Sequence, residues 1–131
     1  MTIKDFADEL AAVELAGVRR VFRGIPKQLA PGDLPAQWAD MPGAVINPDQ
    51  LNSTFDEAAP RYSGVLYVAV ADVSEGLPDN QRTVILEMAE RVEEWARQTP
   101  YATEIVTHLR ITAGSREYRG VIARVGAPGM E

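Results

Sequence analysis

The chain of 131 residues has no cysteine and a single histidine. Disulfides and cysteine-ligated zinc are therefore excluded, and the lone histidine has no companion with which to hold a metal. A cysteine-free composition suits a reducing compartment. Positive charge is also scarce: 13 Lys and Arg stand against 19 Asp and Glu, a formal net charge of −6. That balance argues against a protein that binds nucleic acid by neutralising phosphates. No apolar run approaches the roughly 20 residues of a membrane-spanning helix. The opening "MTIKDFADEL" is acidic and amphipathic, without an apolar signal segment. The P-loop, dinucleotide and nucleophile-elbow signatures are all missing. The expectation is one soluble, cytoplasmic domain, large enough to bury about two thirds of its unfolded surface.

What is present is pattern. Ile3, Phe6, Leu10 and Val13 recur at helical spacing, and Thr2 with Asp5 has capping-box spacing, so a first helix is expected, stopped by Gly17. "VRRVF" reads as a short strand, broken at Gly24 and Pro26. Residues 23–44 then carry Pro26, Pro31, Pro35 and Pro42. Each proline lacks a backbone donor and fixes φ, so this stretch is expected as turns and extended pieces, not as a central strand. It holds Trp38, which either packs back onto the domain or is offered to a partner. "AVIN" suggests a short strand, and Pro48 to Pro60 a second irregular stretch.

The second half alternates more cleanly. In "RYSGVLYVAVADV", Tyr62, Gly64, Leu66, Val68 and Val70 take one face, and Val65, Tyr67, Ala69 and Ala71 the other. Both faces are apolar, which predicts an inner strand. A helix is expected over Asp79 to Gln98, with Val84, Ile85, Met88, Val92 and Trp95 as its buried stripe. "TEIVTHLRIT" and "REYRGVIARV" flank "AGS" and predict a hairpin turning at Gly114. Ile105, Thr107, Leu109 and Ile111 should share one face, and Val106, His108 and Arg110 the other. The whole reads as α+β: a mainly antiparallel sheet with two helices packed on one face and a long proline-rich loop after the first strand.

Little of this points to catalysis. His108 falls on a predicted strand, where a cross-strand polar role outweighs a catalytic one. Asp49, Asp56 and Glu57 lie in an acidic stretch whose simplest role is solvation. Arg19, Arg20, Arg23 and Lys27 concentrate positive charge in an acidic chain. They serve equally well as charges that guard a strand edge or as a contact surface for an acidic partner. "DFADEL" and "NPDQLNSTFDEA" are candidate complements, the latter containing Asp49, Asp56 and Glu57.

A helix closing on "AGVRRVF", the extended "IPKQLAPGDLPAQWADMPGAV", the strand "RYSGVLYVAVADV", a second helix and a closing hairpin follow in that order. This order, with the loop "LPAQWADMP", resembles the tail terminator (tail-tube completion) proteins of long-tailed bacteriophages and related tail-like particles. The resemblance spans nearly the whole chain and implies a structural virion protein with no cofactor and no catalytic site. Such a protein caps the tail tube as a homohexameric ring, stops tube polymerisation and offers the surface where the head docks. Its implied partners are copies of itself, the tail tube protein and the head–neck connector protein, with neither specific nucleic acid nor membrane. It would reside in the virion tail after assembly in the host cytoplasm. Leu34 and Trp38 join the four basic residues and the three loop carboxylates as candidate interaction residues. Two alternatives stay open: a head–neck stopper or adaptor, and a small-molecule-binding α+β domain.

Overall fold

The computed structural model describes residues 3–40, 43–45, 61–72, 79–99 and 102–128. Among them run helix α1 (Ile3–Ala11), strand β1 (Arg20–Phe22), a 3-10 turn at Pro31–Asp33 and β2 (Ala36–Ala39). Then come β3 (Gly43–Val45), β4 (Arg61–Asp72), helix α2 (Asp79–Gln98), β5 (Ala102–Ala113) and β6 (Arg116–Pro128). The six strands form one sheet in the order β1-β2-β4-β6-β5, with β3 also paired to β4. Only β1 and β2 run parallel; the other pairings are antiparallel. The fold is α+β.

Both helices pack on the same face. Phe6 and Leu10 of α1 and Ile85, Met88 and Val92 of α2 are almost fully buried against Leu66, Val68, Val121, Ala123 and Val125. Val84 departs from the expected stripe and is 39 % exposed. It lies on the flank of a stripe centred on Ile85, Met88 and Val92. Helix α1 also ends sooner than expected, at Ala11. The chain leaves it to bury Leu15, and the Val13 carbonyl accepts a hydrogen bond from Gln37 Nε2 at 2.6 Å. Gly17 therefore does not cap the helix; it turns the chain further on, with φ of +86° and the Arg91 guanidinium close against it.

The opposite face carries a second cluster: Trp38, Ala36, Ala69, Ile111, Ala113, Tyr118, Ile122 and Leu29, with Leu34, Phe22, Val65 and Tyr67 packed at its margin. Here the expected arrangement needs correction. Residues 36–39, expected in a loop, form an inner strand that pairs antiparallel with β4, Trp38 opposite Tyr67. The prolines bracket this short window and none falls inside it, so every N–H of the strand remains a donor. The 3-10 turn before it is closed by Asp33, whose backbone N–H donates to the Ala30 carbonyl and whose Oδ2 accepts from Ala30 N at 3.0 Å. The Leu34–Pro35 peptide is cis.

The two long strands are also less regular than alternation predicts. Pairing shifts by one residue between Ala69 and Ala71 in β4, and between Thr107 and Leu109 in β5. The second shift splits the expected set. Ile105 packs against the helix-side core, whereas Ile111 is buried in the opposite cluster. A bulge adds one residue on one strand only, which moves every later residue to the other face.

Candidate functional site

Among the described residues, strand β1 forms one end of the sheet, and its three residues pair only with β2. The Arg19 N–H donates to the Pro35 carbonyl and extends this pairing by one bond. Arg20 is not free for a partner in the way its charge suggests. Its guanidinium lies 3.5 Å from Asp33 Oδ1 and 5.2 Å from the centre of the Phe22 ring. Such an ion pair, 60 % exposed on the arginine side, contributes little stability, but it ties Arg20 to its own turn.

Arg23 sits in different surroundings. It lines a groove of about 430 Å³ with Asp8 and Ala11 of α1, Ile25, Ala39 and Asp40. One basic residue and an acid of "DFADEL" thus line the same groove of one chain, without an ion pair between them. Asp40 accepts a 2.9 Å hydrogen bond from the Tyr67 hydroxyl, and its N–H donates to the Val65 carbonyl. Burial raises the Tyr67 pKa above its ordinary value, and the bond to Asp40 raises it further. Lys27 lies elsewhere, in a polar pocket of about 180 Å³ with Gln28, Ala113, Ser115, Arg116 and Tyr118. The four basic residues therefore divide among an edge, a groove and a pocket.

Leu34 is half-buried against the second cluster, and Trp38 is 1 % exposed, its ring stacked on Tyr67 at 5.6 Å between centres. Of the two roles open to Trp38, the structure shows packing within the chain; a buried indole presents no surface to a partner. Asp49, Asp56 and Glu57 lie outside the described residues. So does the side chain of His108, whose backbone falls at the β5 bulge.

Two features of the edge were not singled out from the sequence. Val21 is 48 % exposed and Ile25 57 % exposed, both on the β1 side and close in sequence to Arg19 and Arg23. Each lies in a three-residue strand or a turn, too short for periodicity to separate inside from outside. The described residues include no group of three or more His, Cys, Asp or Glu placed to hold a metal ion, and no helix among them is long and apolar enough to cross a membrane. Comparison with protein-family models, with curated proteins and with solved structures finds no match.

Proposed function

We propose that this chain is a structural subunit that assembles as a homohexameric ring, caps a phage-type tail tube, halts its growth and presents the head-joining surface. The observation that carries the reading is the β1 edge. An edge strand in a monomer is normally guarded by charge or covered, because its unpaired backbone groups invite pairing. Here exposed Val21 shares the edge with Arg19 and Arg20, and exposed Ile25 lies just beyond it in the groove that Arg23 lines. Strand β5, twelve residues long, forms the opposite end of the same sheet among the described residues. Two unlike edges facing opposite ways favour head-to-tail contact, and such heterologous contacts close into rings when the rotation permits. The basic residues would fix orientation and sensitivity to salt more than affinity.

The test is light scattering across protein and salt concentration, alone and with tail tubes. Val21→Glu and Ile25→Glu should weaken ring formation at least tenfold while leaving the fold intact, since both sites face solvent in the monomer. A strict monomer that neither binds tube ends nor limits tube length would end the reading. The Arg23 groove favours a second one. Its volume falls within the range of small-ligand sites, roughly 300–1,000 Å³, and three charged groups converge on an apolar lining. That reading predicts a monomer whose stability rises on ligand addition.

A further inference from the structure

The hairpin turn between β5 and β6 is covered from an unexpected direction. Gly114, with φ of +63°, lies so close under the Lys27 carbonyl that a side chain there would run into it. The segment 27–28 therefore rests directly on the turn and carries Lys27 to the mouth of the polar pocket formed with Ser115, Arg116 and Tyr118. Four of the lining residues carry side-chain donors: the Lys27 ammonium, the Arg116 guanidinium and the Ser115 and Tyr118 hydroxyls.

Each has capacity to spare. Lys27 has no carboxylate partner among the described residues. Arg116 donates from one nitrogen to Asp72 Oδ2 at 2.8 Å, and guanidinium has five N–H donors in a rigid fork. Asp72 thus anchors the arginine and leaves its other donors uncommitted. Tyr118 is 2 % exposed as a residue, but its hydroxyl is not among the fully buried polar atoms left without a partner, and no hydrogen bond holds it among the described residues, so it stays open to the pocket. Lys27 and Arg116 place two positive charges on the lining, and Asp72 is held to one side by Arg116 without itself lining the pocket.

We propose that this pocket is an oxyanion site that takes one carboxylate or phosphate group, held by Lys27, Arg116, Ser115 and the Tyr118 hydroxyl. The group could be a free phosphate ion or an acidic side chain of a second copy of this chain. The site does not depend on the ring reading, and the experiment separates them because it reads local binding and not assembly.

The full-length protein is titrated with inorganic phosphate, and the amide signals of Gly114 and Ser115 are followed by NMR. Sodium chloride at matched ionic strength controls for screening. A saturable shift with phosphate and not with chloride is expected. Lys27→Gln should weaken it about tenfold and Tyr118→Phe about fivefold, the usual range for losing a charged and a neutral hydrogen bond. Neither variant removes an interaction made within the described residues, so both should fold, which circular dichroism checks. A synthetic peptide of residues 47–58, NPDQLNSTFDEA, is then added as competitor. Displacement of phosphate assigns the site to acidic side chains of a second copy; lack of displacement assigns it to free oxyanions. No saturable shift with either probe, or shifts that survive both substitutions, would overturn the proposal.

Discussion

Removing the Trp38 indole tests the second core most directly. Trp38 is 1 % exposed, on an inner strand, stacked on Tyr67 with 17° between ring planes. A buried indole removes roughly 200 Å² from water, which at about 25 cal/mol per Å² is about 5 kcal/mol as an upper bound. Tryptophan-to-alanine changes in cores ordinarily cost about 3–5 kcal/mol, depending on how far the walls collapse. Ala36 and Ala69 are cluster neighbours too short to reach into the space, and the sheet backbone beneath is held on both sides. Trp38→Ala should therefore fall near the upper part of that range, about 4 kcal/mol. That is a large share of a typical domain's 5–15 kcal/mol.

Trp38→Phe, which keeps a ring on Tyr67, should cost well under half as much. The assay is urea unfolding, with Trp95 as the remaining fluorophore. Trp95→Phe supplies the converse control, since emission then reports Trp38 alone and should be blue-shifted. A cost for Trp38→Ala below about 1.5 kcal/mol, or the red-shifted emission of a solvated indole, would refute the reasoning.

Ile111 and Arg110 are neighbours in β5, but Ile111 is 1 % exposed while the Arg110 side chain is 70 % exposed beside Glu117. Ile111→Asp should prevent folding and Arg110→Ser should lower the unfolding free energy measured in urea by no more than about 0.5 kcal/mol; similar stabilities for both would show the register to be wrong. Burial, with smaller contributions from Asp40 for Tyr67 and Asp72 for Tyr118, raises both pKa values above 10.0. A raised folded pKa means stability fully present below the unfolded value and lost as pH rises through the folded one. Stability should thus be flat toward pH 10 and fall above it, with Tyr67→Phe reducing the fall. Phenolate absorbance that shows all four tyrosines ionising together at the ordinary value would contradict this.

Much of the fold is legible because its largest elements obey a simple period. Strand β6 pairs without a bulge of its own and β4 alternates as far as its bulge after Ala69, and the Ile85, Met88 and Val92 stripe repeats at helical spacing. What escaped is short or aperiodic. Strand β2 has four residues between prolines, so local chemistry announces turns while partners on β1 and β4 supply the ladder. The basic cluster was legible as charge, but its division was not. Arg20 meets Asp33 thirteen residues on, Arg23 meets α1, and Lys27 meets a hairpin nearly ninety residues away.

One residue explains why the polar pocket lies where it does. Gly120 pairs with Ala69 on one side and Leu109 on the other, and both pairing shifts occur next to it. A side chain at Gly120 would strike the Val68 carbonyl, so glycine lets β4 come close at its bulge. With β4 and β5 each gaining one residue at the same level, β6 keeps its alternation while its neighbours change theirs. Beyond that level Ile111 and Ala113 join Tyr118 on the face away from the helices, and Asp72 comes opposite Tyr118. Leu29 then has an apolar patch to land on, and its burial draws residues 27–28 down onto the turn. The juxtaposition of Lys27 with Arg116 thus follows from two single-residue irregularities. A strict period of two would have put Ile111 beneath the helices and left Lys27 over an empty edge.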